Sequence, residues 1–289
     1  LPFENAGVLK TTGFELQAKW SDKLSNGFAY SVGVALSDDK AEVLSYPSNP
    51  TNKIGDGVLY KGYTVGDIWG YVTGGILQES DFDGVGPNGK PLYHGAYFKG
   101  GQPYPGYVWY QDLDHDGVIT SGLSTVDDPG DKKVIGNNAP RYRYNITANF
   151  QYKGFDLDLM FQGVGKRDYW LKDVSSYWGG GAGSWETYNQ SWTPERTDAK
   201  FPMYGSGTGS YAQTGYLLDA SYIKLKQVIL GYTFPRALIN KIGLEKLRLN
   251  LAAYNLFTIS DMPKYYDADY LSDAYPPKRT FSVGIQVGF

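Results

Sequence analysis

The sequence predicts an all-β fold, a transmembrane antiparallel β-barrel with long loops, on three observations. Several stretches alternate apolar side chains with small or polar ones at a period of two, the signature of strands with one apolar face. The connections between them are short and long in strict turn, and membrane-spanning barrels carry short turns on one rim and long loops on the other. Composition agrees, since Gly 37 and Tyr 26 among 289 residues suit turns and aromatic-bearing strands.

The first strand covers 13–20, with Phe14, Leu16, Ala18 and Trp20 facing one way and Glu15, Gln17 and Lys19 the other. A polar hairpin at 21–27 leads into 28–36, where Phe28, Tyr30, Val32, Val34 and Leu36 alternate with Ala29, Ser31, Gly33 and Ala35. Alternation then stops over 37–141, a stretch rich in Gly, Pro, Asp and Tyr. Such a length points to a functional loop or a small inserted unit. The next strand, 142–152, places Tyr144, Ile146, Ala148 and Phe150 opposite Arg143, Asn145, Thr147 and Asn149. Its aromatics gather at the two ends, as on a lipid-facing strand.

Lys153-Gly154 is a two-residue turn into Phe155, Leu157, Leu159 and Phe161; Asp156 and Asp158 on the other face are expected to point into a wet lumen. A second long loop is read at 164–220. In 222–234, Val228, Leu230, Tyr232 and Phe234 claim one face and Ile223 and Leu225 the other, which a bulge reconciles. Leu238, Ile239 and Ile242 have helical spacing, so 235–246 is expected to hold one or two helical turns. Leu247, Leu249, Leu251 and Ala253 form the next apolar face, and a polar loop at 260–279 precedes the last strand. There Phe281, Val283, Ile285, Val287 and Phe289 oppose Ser282, Gly284, Gln286 and Gly288. A chain ending on Phe after such a strand resembles the terminal signal by which bacterial outer-membrane barrels are recognised for assembly.

The balance of charge narrows the partners. Lys+Arg 27 against Asp+Glu 30 gives a net charge of −3, with no basic surplus for nucleic acid. The absence of Cys removes disulfide frameworks, thiolate metal sites and cysteine nucleophiles. No run approaches about eighteen apolar residues, so a spanning helix is not expected, whereas barrel strands need only about ten alternating residues. The chain starts at Leu1 without Met, and it is read as a piece of a longer polypeptide.

Asp112, Asp114 and Asp116 stand at alternate positions before Gly117, the opening of a calcium loop of the EF-hand type. The Val118 carbonyl would add an oxygen. Leu123 occupies the twelfth position where a bidentate Glu belongs, so Asp127 or Asp128 would have to close the site around a structural Ca2+. The stretch 84–90 imitates a phosphate loop, but Pro91 replaces the magnesium-binding hydroxyl and no strand precedes it. His94 and His115 are the only histidines, too little for a triad or a zinc site. Asp156 and Asp158 share a face as any lumen strand would place them. No catalytic residue is assigned, and the chain is not read as an enzyme. Trp69, Trp109, Trp170, Trp178, Trp185 and Trp192 all fall in the two long loops, where they would either contact substrate or partner or form the loops' own small cores.

Taken in order, these pieces resemble SusC/RagA-type TonB-dependent outer-membrane transporters, and the likeness covers nearly the whole chain. They include Asn5-Ala6-Gly7-Val8, Thr12-Gly13-Phe14-Glu15-Leu16, Gly70-Tyr71-Val72-Thr73-Gly74-Gly75-Ile76, the Asp112 loop and Ile135-Gly136-Asn137-Asn138-Ala139-Pro140. Tyr152-Lys153-Gly154-Phe155-Asp156-Leu157, Phe161-Gln162-Gly163-Val164-Gly165, Leu230-Gly231-Tyr232-Thr233 and Asn255-Leu256-Phe257 complete the series. The resemblance implies that 1–289 is the C-terminal part of a barrel of roughly 22 strands in the outer membrane of a Gram-negative bacterium. It implies TonB coupling through a plug region absent from this stretch, and a SusD-type surface lipoprotein over the long extracellular loops. The implied task is import of an oligosaccharide or peptide. The alternative reading is a secreted, calcium-stabilised carbohydrate-binding β-sandwich.

Overall fold

A computed structural model of the chain describes residues 7–170, 188–206, 211–263, 266–271 and 277–289. Seven long strands form one antiparallel sheet in sequence order. They are β1 (Val8–Lys23), β2 (Ala29–Ser45), β3 (Arg141–Tyr152), β4 (Phe155–Lys166), β5 (Tyr222–Thr233), β6 (Lys246–Ile259) and β7 (Thr280–Gly288). Among the described residues no helix is long and apolar enough to cross a membrane.

Register explains how one face becomes apolar. Tyr30 lies opposite Phe150, Phe150 opposite Leu157, Leu157 opposite Leu230, Leu230 opposite Leu251 and Leu251 opposite Val283. Directly opposed residues share a face, so this row crosses β2 to β7 with no polar group beyond the Tyr30 hydroxyl. The row on the other face reads Ala29, Gln151, Asp156, Gly231, Asn250 and Gly284. Leu16, Val34, Leu251, Val283 and Ile285 are all exposed. A sandwich would cover them with a second sheet, and among the described residues none does.

Lys153 and Gly154 both have positive φ, 47° and 88°, the primed turn that matches strand twist. A Cβ at Gly154 would also press on the Thr233 carbonyl. The bulge expected near Leu225 is present. Register shifts between Leu225 and Gln227 on β5 and leaves Lys226 without a partner in the ladder. Ile223 and Leu225 thereby rejoin the face of Val228 and Leu230. The helical turns after Pro235 are an α-turn at Arg236–Ile239 and a 3-10 turn at Asn240–Ile242.

Several strands outrun their hydrophobic alternation, which corrects the loop boundaries. The first long connection starts at 46 rather than 37, because β2 continues to Ser45. Arg141 donates to both carboxylate oxygens of Asp38, each at 2.5 Å, and Arg143 pairs with Asp39, so side-chain charge pairs join β2 and β3 just beyond Ser37 and Arg143, where their ladder ends. Likewise β4 runs to Lys166, beyond the expected loop start at 164.

The chain divides into two compact units. The wall comprises Thr12–Lys40, Pro140–Arg167 and Asp219–Phe289; the loop unit is built on Ala41–Ala139 and Asp168–Leu218 with the N-terminal segment. The loop unit is made of short strands, among them Asp67–Tyr71 paired with Lys132–Asn137 and Thr73–Ile76 paired with Val108–Tyr110. Its core includes Val43, Ile54, Tyr60 and Tyr63, with Trp69 packed against them.

Candidate functional site

The loop unit concentrates the aromatic residues around two small cores. Trp69 donates its indole N–H to Tyr60 Oη at 2.9 Å, and Trp192, buried, donates to Gln78 Oε1 at 2.9 Å. Trp170 is also buried. These three therefore serve the loop unit's own packing. Trp109 is half-buried and lines an apolar recess, and Trp178 and Trp185 lie outside the described residues. Gly74 explains part of the glycine motif at 70–76, because a Cβ there would overlap the Trp109 ring.

The second core stacks Tyr71, Phe98, Tyr110 and Tyr211 edge-on or tilted, with ring centroids 5.0–6.5 Å apart. Gln213, fully buried, joins it: its Nε2 donates to Tyr110 Oη at 3.1 Å and its Oε1 accepts from Thr73 Oγ1 at 3.0 Å. Burial pushes the Tyr71 phenol up to about 12 and raises that of Tyr110 further. Both stay neutral hydrogen-bonding groups at any physiological pH.

The acidic loop lies between two short strands of this unit, Val108–Tyr110 and Val118–Ile119. One oxygen from each of Asp112, Asp114 and Asp116 lies within 4.8 Å of the others. That is about twice a calcium–oxygen distance of 2.3–2.6 Å, so all three fit around one ion. The turn is held by N–H donors: His115 and Gly117 to Asp112, Asp116 to Asp114, and Val118 to Asp116. Partial desolvation would raise the Asp112 carboxyl, but the Gly117 and His115 donors outweigh it and lower its pKa. At Asp114 the Asp116 N–H lowers, yet desolvation and the charges of Asp116 and Asp131 prevail and raise it.

Asp127 and Asp128 are exposed and stand outside the carboxylate cluster found among the described residues. The carboxylate that does reach the loop is Asp131, fully buried, which accepts from Leu113 N–H and Thr120 N–H at 2.7 Å each. It clamps the entrance and exit of the loop together. The motif spacing gives no sign of it, because it follows the loop by an irregular turn at Pro129-Gly130.

A second site unseen in the sequence lies on the polar face of the wall. Lys224, 2% exposed, donates to both oxygens of Asp267 at 2.8 and 2.7 Å, and Lys226 donates to Asp269 at 2.6 Å. Tyr222 Oη also donates to Asp269, at 2.6 Å. The segment 266–271 is thus fastened to β5. Burial would raise the Asp269 carboxyl, but donors from Lys226 and Tyr222 hold it below its usual range. Beside this network is a polar concavity of about 770 Å³, lined in part by Glu15, Arg143, Gln162, Tyr222 and Asp269.

No family model matches the chain. Among curated proteins it is similar to TonB-dependent receptors P3, P26 and P39 of Formosa agariphila, at 26%, 24% and 23% identity over 99% of its length. The chain spans 29–31% of those relatives. In fold it is similar to the RagAB peptide transporter, with a TM-score of 0.74 at 18% identity over 98% of this chain and 29% of that one. The RagAB peptide importer in its open-open state matches at a TM-score of 0.69 and 19% identity, covering 98% of this chain and 29% of that one. In sequence with the receptors and in fold with RagAB, this chain carries the TonB-dependent-receptor resemblance that its motifs announce.

Proposed function

We propose that this chain is a wall segment and loop unit of a SusC/RagA-type importer in a Gram-negative outer membrane. The observation that carries the reading is the uncovered apolar face running across β2 to β7, which lipid would cover in a closed barrel of roughly 22 strands. The opposite face, with Asp156 bound to Arg248 and Asn149 bound to Asp158, lines the wet interior. Through a plug region outside this stretch the TonB complex supplies energy, and an oligosaccharide or peptide is the cargo. A SusD-type lipoprotein caps the loop unit, and one calcium ion, held by Asp112, Asp114, Asp116 and the Val118 carbonyl, stiffens the acidic loop.

The supporting facts are the apolar rows, the receptor relatives and the RagAB fold. Gentle detergent extraction of the full-length protein tests the reading: a surface lipoprotein should co-purify and cross-link to the loop unit, and cells lacking the protein should lose uptake of the oligomer. Extraction without detergent would overturn the barrel, and a bare barrel with uptake indifferent to trimming residues 46–139 would overturn the lid.

A further inference from the structure

The loop unit contains an apolar recess of about 230 Å³ that none of the preceding roles uses. Its floor is Leu77, Val108, Tyr110 and Ile119, all buried, and its walls include Phe98 and Trp109. Its rim is open, because Tyr97 and Gly101 are exposed. The volume suits one ring or branched aliphatic group; a dry cavity of about 150 Å³ already takes benzene. The recess is also braced. Tyr97–Phe98 pairs with Val118–Ile119, so rim and floor are tied by backbone hydrogen bonds, and the Gly74 backbone backs the Trp109 ring.

The lining selects the ligand. Apart from tyrosine hydroxyls and the Trp109 indole N–H, the one polar side chain lining it among the described residues is Gln102, whose Nε2 already donates to the Pro91 and Pro103 carbonyls at 3.0 and 3.2 Å. A sugar enclosed here would press its hydroxyls on carbon, where lost hydrogen bonds to water are not replaced. An apolar side chain loses none. We propose that the recess is a side-chain pocket that takes one aromatic or large aliphatic residue of a peptide. The proposal rests on the import reading and narrows its substrate class to peptides with an apolar residue.

The full-length protein in detergent, freed of any co-purifying lipoprotein, is titrated with Ala-Phe-Ala, Ala-Leu-Ala and Ala-Ala-Ala by calorimetry. Ala-Phe-Ala should bind about tenfold to a hundredfold tighter than Ala-Ala-Ala, the range a filled apolar pocket discriminates. Ala96→Trp, which fills the recess from its lining, should bring that ratio to about one. Should Ala96→Trp not fold, Trp emission is the second readout: Ala-Phe-Ala should shift it in the native protein and not in Trp109→Phe.

Equal affinity for the peptides, a Phe preference that survives Ala96→Trp, or a preference present only with the lipoprotein bound would overturn the pocket. Tighter binding of maltohexaose than of any peptide would overturn it as well. Uptake intact without Phe preference removes the pocket alone; Phe preference in binding without uptake of any oligomer removes the import reading alone.

Discussion

On the last wall strand Phe281 and Val283 are 72% and 74% exposed, whereas Trp192 and Tyr110 in the loop unit are each 3% exposed. Both regions are rich in apolar residues, and they differ in where the apolar surface goes. The wall satisfies its backbone through long ladders and leaves one side-chain face uncovered, which suits a lipid solvent. The loop unit has only short strands, so it gains little from ladder length and holds together by burying aromatic rings and by side-chain bonds such as those of Gln213 and Asp131. A ladder tolerates exposed side chains; a small core does not.

The contrast is broken most severely in the loop core. Trp192→Ala should cost about 3–5 kcal/mol, as large aromatic truncations do, and hydrogen exchange should quicken in the loop unit while β3 and β4 remain protected. Equal loss of protection in the wall would mean that the two regions do not differ as described. Next is the wall's exposed face. Ile146→Arg should cost about 2–4 kcal/mol near a bilayer midplane, whereas Val85→Arg, on an exposed loop hairpin residue, should stay within about 0.5 kcal/mol. Assembly yield in lipid vesicles reads both, and a harmless Ile146→Arg would argue against lipid contact.

The charged fastening on β5 sharpens the comparison further, since it is a loop segment held to the wall's polar face. Lys224→Met should cost about 1–3 kcal/mol by leaving Asp267 unpaired, with Lys226 still holding Asp269. Proteolysis within 266–271 should rise. Asp269 has a depressed pKa, so its contribution is complete above the unfolded carboxylate value and is lost as pH falls through the folded one. Acid should therefore loosen this segment before it disturbs the strand ladders. The smallest effect is at the acidic loop. Asp114 is raised, so protons would compete there first with the calcium proposed for this loop, and calcium affinity measured by titration should fall as pH descends into the upper carboxylate range. Affinity unchanged between neutral and mildly acid buffer would remove Asp114 from the ligand set.

Much of the wall was legible in the sequence because the side-chain period of a strand is local. Ile146, Phe150, Leu157 and Leu251 declare their face within a few residues, Lys153-Gly154 declares its turn, and the conflict between Leu225 and Val228 already required a bulge. What only the tertiary structure decided lies where partners are far apart along the chain. β4 reaches Lys166 because that residue pairs with Arg141 of β3, and β2 continues to Ser45 beyond Ser37, its last partner on β3; the acidic loop is clamped by Asp131, and Lys224 meets Asp267 across 43 positions. The recess brings Leu77, Phe98 and Ile119 together from stretches with no shared period. A local pattern reports which way a side chain points; what it meets is set by chain folding over distances that periodicity does not reach.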